Sequence, residues 1–170
     1  MAGFGETNKS NKKNIHNSKQ NYNEKKIIDQ AIKYHYEGNI LQASKLYRFL
    51  IEKGSNNNAI YTNYALILIH FKKLKEAEFF IRKGIDLNPK DSTAHYNLGI
   101  LLKDLGKLQE SELSYRTAIR IKPDYAEAYI NLGNILRNDG KFKEAKLCSE
   151  KVMFLRSWSI SGSYSFNYEV

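Results

Sequence analysis

The fold is decided by the stretch HYNLGILLKDLG, His95–Gly106, which returns further along the chain as YINLGNILRNDG, Tyr129–Gly140. An asparagine, two leucines and two glycines keep the same register in both copies. We call the step from position 95 to position 129 the repeat period. Self-similarity at a fixed period of this size is typical of solenoids, in which each unit buries its apolar face against its neighbours. We therefore divide the chain into four units, at residues 24–57, 58–91, 92–125 and 126–159.

Within a unit the apolar residues follow the period of a helix. The third unit places leucine at i, i+3, i+4 and i+7, at Leu98, Leu101, Leu102 and Leu105. Glycine at residue 106 can end that helix with a positive φ, and a second apolar series follows it. Each unit is therefore predicted to be a pair of antiparallel helices, and the fold class to be an all-α solenoid.

Small residues and caps mark the contacts and the boundaries of the units. Gly99 and Ala145 are small in positions where two helices meet, so a leucine at either should overpack the contact at a cost of about 1–3 kcal/mol. Pro123 cannot continue a helix, and Asp124 with Glu127 predicts an Asp-x-x-Glu cap for the helix that follows.

These features resemble the tetratricopeptide repeat over residues 24–157. The family carries small residues at the eighth and twentieth positions of its unit, an aromatic near the twenty-fourth, alanine at the twenty-seventh and proline at the thirty-second. The third unit supplies this set as Gly99, Ser111, Tyr115, Ala118 and Pro123. The terminal units depart from it most, as solenoid ends that face solvent do. The resemblance implies a right-handed superhelix whose first helices line a concave groove that binds an extended peptide or a partner helix.

A ladder of three asparagines is the most specific candidate site in that groove. Asn63, Asn97 and Asn131 follow one another at the repeat period, and Asp29 breaks the ladder in the first unit. An amide can both donate to and accept from the backbone of a peptide, whatever its side chains are. A similar ladder occurs in the tetratricopeptide arm of protein O-glycosyltransferases, although asparagine at this position also serves structure in the family.

Other residues of the first helices are expected beside the ladder. The predicted groove residues are Thr62, Leu66, His70, Tyr96, Ile100, Lys103, Ile130, Asn134 and Arg137. The chaperone-binding members of the family use a lysine and asparagine clamp for a C-terminal carboxylate. The corresponding pairs here are Thr62 with Leu66 and Tyr96 with Ile100, so an acidic chaperone tail is not favoured.

The two ends of the chain break the pattern. Residues 1–23 are polar and carry Lys9, Lys12, Lys13 and Lys19 against Glu6, which predicts a disordered basic tail. Residues 158–170 place larger side chains at every second position, the period of a β-strand. Such a strand can dock on the fourth unit, remain loose, or open a further domain, and we favour the last.

The sequence indicates a binding protein rather than an enzyme. It has no phosphate-binding loop or metal-binding motif, and no cofactor or metal site is expected, since His35 and His70 lack a third ligand. Cys148 is read as an ordinary half-buried helix residue. Without a signal peptide or membrane span, a cytoplasmic location is predicted.

The predicted function is a non-catalytic scaffold that holds a protein or peptide in its groove. Two alternatives remain open: the substrate-recruiting arm of a glycosyl- or sulfotransferase, and an RNA-binding repeat. The formal charge of +9 permits RNA, but Lys103 and Arg137 are the only clear cations among the middle groove positions, so nucleic acid is not favoured. The oligomeric state is left undetermined.

Overall fold

The computed structural model describes the backbone of residues 23–164 and the side-chain surroundings of residues 23–157. Every regular element in this range is an α-helix, so the predicted all-α class is confirmed there. The helices are α1 (residues 23–36), α2 (Ile40–Glu52), α3 (Asn58–His70), α4 (Leu74–Leu87), α5 (Ser92–Asp104), α6 (Leu108–Ile121), α7 (Ala126–Asn138) and α8 (Phe142–Tyr164).

The helices stack in the order of the chain. From α2 onward each helix packs against the next one, so a unit's second helix also contacts the first helix of the following unit. The first helices α3, α5 and α7 begin at Asn58, Ser92 and Ala126, each one repeat period after the last. This regular stacking of antiparallel pairs produces the solenoid that the repeat predicts.

The turns within the units depend on a left-handed residue. Gly38, Gly106 and Gly140 follow the first helices of their units with φ of 75°, 74° and 73°. The glycine turn predicted at residue 106 is therefore confirmed. In the second unit Lys72 occupies the equivalent position with φ of 60°, a conformation that costs a side-chain-bearing residue about 1–2 kcal/mol.

A close helix contact surrounds Gly99 in the third unit. A Cβ atom at this glycine would lie 2.6 Å from Cε1 of Tyr115, whose ring is completely buried. The Ser111 hydroxyl donates a hydrogen bond of 2.6 Å to the Gly99 carbonyl across the same contact. The small residues that the repeat predicts at positions 99 and 111 therefore let α5 and α6 approach closely.

Ion pairs join neighbouring second helices. Glu78 of α4 accepts hydrogen bonds from Arg82 at 2.8 Å and from Lys107 at 2.9 Å, and Arg82 also reaches Glu110 of α6 at 2.9 Å. The same arrangement recurs one repeat period later, between α6 and α8, at Glu112, Arg116, Lys141 and Glu144. We call these the first and second charge networks.

Two local predictions are corrected by the structure. The N-cap of α7 is Tyr125, which provides no side-chain cap, because the helix begins one residue later than the Asp124 cap requires. The strand predicted from residue 158 is wrong through residue 164, because α8 continues to Tyr164. No strand in the described range could pair with it, whereas a helix satisfies its backbone hydrogen bonds internally. Residues 165–170 lie outside the described range, as do residues 1–22 of the predicted basic tail.

Within the described residues no helix is long and apolar enough to span a lipid bilayer.

Candidate functional site

The predicted groove residues all belong to the first helices α3, α5 and α7. The beginnings of α3 and α5 are fixed by side-chain caps. Asn57 accepts a hydrogen bond from the Ala59 amide at 3.0 Å, and Asp91 accepts from the Thr93 and Ala94 amides at 3.0 Å each. Asn63 and Asn97 are thereby carried on helices of defined register.

A side-chain bond ties two of these helices together. The Asn58 amide of α3 donates a hydrogen bond of 2.7 Å to Asp91, the cap of α5. Since Asp91 also caps its own helix, one carboxylate sets both the start of α5 and its position beside α3. The spacing between α3 and α5 is therefore fixed by a specific contact as well as by apolar packing.

The three ladder asparagines have different surroundings. All three are half-buried. Asn131 donates a hydrogen bond of 3.2 Å to the Tyr96 hydroxyl. Asn63 lies beside the Tyr47 hydroxyl, although the two groups do not reach hydrogen-bond geometry. Burial raises the pKa of Tyr47, and the nearby Asn63 amide opposes that rise. The Asn97 side chain likewise has no hydrogen-bond partner within the described part of the chain, so Asn131 is the ladder amide that is bonded internally.

The remaining predicted residues differ in their access to solvent. Leu66, Tyr96 and Ile100 are half-buried, and five others are exposed, namely His70, Lys103, Ile130, Asn134 and Arg137. Thr62 is only 5% exposed and donates a hydrogen bond of 3.1 Å to the Asn58 carbonyl of its own helix. A Cβ atom on Gly84 of α4 would lie 2.8 Å from the Thr62 hydroxyl, so Thr62 sits between the two helices of its unit.

A cluster of tyrosines lies next to Asn131. The Tyr96 ring lies 5.9 Å from that of buried Tyr115 and 4.9 Å from that of Tyr125, and the Lys122 ammonium lies 4.9 Å from the centre of the Tyr125 ring. Burial raises the pKa of Tyr96, and the hydrogen bond from Asn131 opposes that rise. Tyr96 therefore presents a neutral hydroxyl at physiological pH.

Sequence reasoning missed the part that Tyr125 plays in this cluster. A signal was present, because Tyr125 lies one repeat period after Asp91 and two after Asn57, the caps of the two preceding first helices. An aromatic residue in a capping register indicates that packing has replaced the cap.

The cysteine and histidine that were considered as catalytic or metal-binding residues are packed against their neighbours. Burial raises the pKa of the Cys148 thiol, which disfavours the nucleophilic thiolate. The His35 ring packs edge-on against Tyr47 with centroids 6.2 Å apart, and burial lowers the pKa of His35. The residues that the structure describes contain no group of three or more His, Cys, Asp or Glu side chains placed to hold a metal.

Two equivalent crevices open between successive second helices, away from the predicted groove. One, of about 260 Å³, is lined by Arg82, Ile85, Asp86, His95, Leu98, Leu113, Ser114 and Thr117. The other, of about 310 Å³, is lined by Arg116, Ile119, Arg120, Tyr129, Leu132, Leu136, Glu144, Leu147 and Cys148. Most of their residues correspond at the repeat period, so the crevices are a product of the repeat.

Comparison with known families agrees with the repeat. Two models described as tetratricopeptide repeat match residues 59–91 and 80–112, and one described as TPR repeat matches residues 101–140. A search of curated protein sequences found no significant match.

Several solved structures share the fold. A crystal structure of MamA has a TM-score of 0.74 at 17% identity, covering 95% of this chain and 99% of that one. The first TPR domain of Spaghetti (RPAP3), solved with the HSP90 peptide SRMEEVD, has a TM-score of 0.65 at 23% identity, covering 69% and 93%. A mutant O-GlcNAc transferase from Thermobaculum terrenum has a TM-score of 0.62 at 22% identity, covering 66% of this chain and 22% of the transferase.

The family models together cover residues 59–140, and the stacked helix pairs continue on both sides of that range. The chain belongs to the tetratricopeptide-repeat family.

Proposed function

We propose that this protein is a non-catalytic interaction scaffold and that the face of α3, α5 and α7 binds an extended peptide segment of a partner protein. The observation that carries the proposal is the asparagine ladder, with Asn97 unpartnered within the described part of the chain. A half-buried amide that has no internal partner gains most from a ligand that offers both a donor and an acceptor.

The neighbours of the asparagine ladder suit a peptide ligand. Half-buried Leu66 and Ile100 offer apolar contacts beside the amides. Exposed Lys103 and Arg137 would favour acidic over basic side chains in the ligand.

The peptide bound in the RPAP3 structure is not carried over to this chain. The positions that correspond to the family's carboxylate clamp hold Thr62 with Leu66 and Tyr96 with Ile100, and Thr62 is buried. These side chains offer no cation for a terminal carboxylate. We therefore expect recognition of an internal extended segment through its backbone.

The test is selection of binders from an unbiased library of peptides, followed by affinity measurement on single variants. Asn97→Ala should weaken binding about five- to tenfold, the equivalent of one net hydrogen bond of about 1 kcal/mol. Gln109→Ala is the matched control, because it removes an exposed amide from the second helix α6 and should leave the affinity unchanged.

Circular dichroism of each variant would establish that the helices are retained. A selected peptide that binds the wild type and the Asn97→Ala protein equally would contradict the proposal, as would one that loses affinity only with the control. Failure of the library to yield any binder would also count against an extended peptide as the ligand.

A further inference from the structure

One amide of the asparagine ladder is joined to a tyrosine of the preceding unit. The Asn131 side-chain amide of α7 donates a hydrogen bond of 3.2 Å to the Tyr96 hydroxyl of α5. Both residues lie on first helices, which carry the proposed peptide-binding face, and both are half-buried. We call them the Tyr96–Asn131 pair. Their bond crosses from the third unit to the fourth, so it links two successive positions of the groove.

The direction of this hydrogen bond leaves one donor and one acceptor of the pair unused. Because the Tyr96 oxygen accepts from Asn131, the hydroxyl proton of Tyr96 remains available to donate. Asn131 uses its amide nitrogen in the bond, so its carbonyl oxygen remains available to accept. Neither group has a second hydrogen-bond partner within the described part of the chain. The Tyr96–Asn131 pair therefore offers a ligand one donor and one acceptor side by side.

This combination is complementary to the main chain of a peptide. Each peptide group other than one that precedes proline exposes a carbonyl oxygen that accepts and an N–H that donates. The Tyr96 hydroxyl would donate to such a carbonyl, and the Asn131 oxygen would accept from an N–H. Half-buried polar groups without a partner gain net stabilisation from a ligand that supplies one. Neither contact requires a particular side chain in the ligand.

The ring of Tyr96 is held by packing on two further tyrosines. It lies 5.9 Å from the Tyr115 ring and 4.9 Å from the Tyr125 ring. Tyr115 is completely buried and is out of reach of a ligand, whereas Tyr96 is half-buried. A side chain that is already packed and bonded loses little conformational freedom when a ligand binds. The Tyr96–Asn131 pair is therefore preorganised for binding.

The other two ladder asparagines have no such hydroxyl at the corresponding register. The residue that corresponds to Tyr96 is Thr62 in the second unit and Ile28 in the first. The Thr62 hydroxyl already donates to the Asn58 carbonyl at 3.1 Å, and the Ile28 side chain has no polar group. The three asparagines are therefore not equivalent as binding groups, although the repeat places them at one register.

We propose that the Tyr96–Asn131 pair determines how the groove holds the peptide backbone at its C-terminal units. Tyr96 donates to a main-chain carbonyl of the ligand, and Asn131 accepts from a main-chain N–H while it orients the Tyr96 hydroxyl. This inference rests on the proposed function, because it assigns roles to two residues of the same face. Tyr96 is thus a ligand contact, and Asn131 is both a contact and a positioning residue.

The test measures the affinity of one library-selected peptide, with blocked ends and no charged side chain, for variants of the full chain. Tyr96→Phe should raise the dissociation constant about five- to tenfold, because it removes one hydrogen bond and keeps the ring. Tyr115→Phe is the matched control, since it removes a hydroxyl from the adjoining ring, which is completely buried, and should leave the affinity unchanged.

A double-mutant cycle and an isosteric variant test the positioning role of Asn131. Tyr96→Phe should weaken binding less in an Asn131→Ala background than in the wild type, whereas the effects of Tyr96→Phe and Asn63→Ala should multiply. Asn131→Asp keeps the shape of the side chain but replaces the donor by an acceptor. The Tyr96 hydroxyl should then donate to the carboxylate, and binding should weaken about as much as in Tyr96→Phe. Urea unfolding of each variant establishes that the fold is retained.

The outcomes separate this inference from the proposed function. A peptide that is weakened by Asn97→Ala but binds Tyr96→Phe as tightly as the wild type overturns this inference and leaves the proposed function standing. Equal losses from Tyr96→Phe in the two Asn131 backgrounds, or full affinity in Asn131→Asp, also overturn it. Failure to select any peptide, or a peptide that is insensitive to Asn97→Ala, overturns the proposed function and this inference with it.

Discussion

A methyl group added at Gly99 tests the close contact between α5 and α6. The new Cβ atom would lie 2.6 Å from Cε1 and 2.7 Å from Cδ1 of Tyr115. That ring is 0% exposed and packs against Tyr96 with centroids 5.9 Å apart, so it cannot swing aside into solvent. The expected overpacking cost is about 1–3 kcal/mol. Alanine also favours the helix over glycine by about 1 kcal/mol, which offsets part of that cost.

The equivalent glycine of the fourth unit separates the overpacking cost from the gain in helix propensity. A Cβ atom at Gly133 would meet the Cys148 Cβ atom at 3.3 Å, a distance that a small shift can relieve. Because both substitutions gain the same helix propensity, that contribution cancels in the comparison. Gly99→Ala should therefore be less stable than Gly133→Ala by about 1–3 kcal/mol. The first unit buries Ala31 and Tyr47 at the two corresponding registers, so we expect Gly99→Ala to fold.

Urea unfolding followed by circular dichroism measures the difference, with the slope m compared between variants to exclude a change in the denatured state. In a Tyr115→Leu background, Gly99→Ala should cost much less stability than in the wild type, because removing the ring removes the clash. Equal stability of Gly99→Ala and Gly133→Ala would refute the reasoning, and so would a loss that the Tyr115 substitution leaves unchanged.

Three further predictions concern the turns, the charge networks and the caps. Lys72→Gly should stabilise the protein by up to about 1 kcal/mol in thermal unfolding, because glycine tolerates its φ of 60°, and Gly106→Lys should have the opposite sign. Burial alone would raise the pKa of Glu78, but Lys107 and Arg82 hold this pKa below the ordinary value of 4.5. The Glu78 carboxylate should therefore stabilise the protein fully above pH 4.5, and this stabilisation should be lost as the pH falls through the lowered pKa. Urea titrations at pH 3 and 7 should show a smaller loss of stability at low pH in Glu78→Gln than in the wild type. Asp91→Ala should cost about 0.5–2 kcal/mol through the lost cap of α5, so an unchanged urea midpoint would contradict the capping role.

Much of the fold could be predicted from the sequence because the same local pattern recurs in several units. The leucine spacing of residues 98–105 requires a helix, and the glycine at 106 requires a turn, so each unit is defined by local chemistry. The fixed repeat period then leaves stacking of neighbouring units as the way to bury the apolar faces. Neither argument depends on distant contacts.

The errors occurred where a residue's role depends on its neighbours in space. Tyr125 occupies the N-cap position of α7 and its ring packs on Tyr96, a contact that register alone does not reveal. The alternating pattern after residue 158 would suit a strand, but the described range offers no strand to pair with, and α8 continues to Tyr164 instead. A strand needs partners from elsewhere in the chain, whereas a helix does not.

The sequence by itself determined the repeat, the helix pairs, the glycine turns and the positions at which small residues separate two helices. Tertiary structure alone decided which of the equivalent positions are used differently. It buries Thr62 within a unit, bonds Asn131 to Tyr96 and leaves Asn97 without a hydrogen-bond partner among the described residues. It also exposes Phe79, Leu113 and Leu147 on the second helices. The physical reason is that periodicity fixes a residue's direction from its own helix, while its burial and hydrogen bonds depend on the particular side chains that the next unit brings against it.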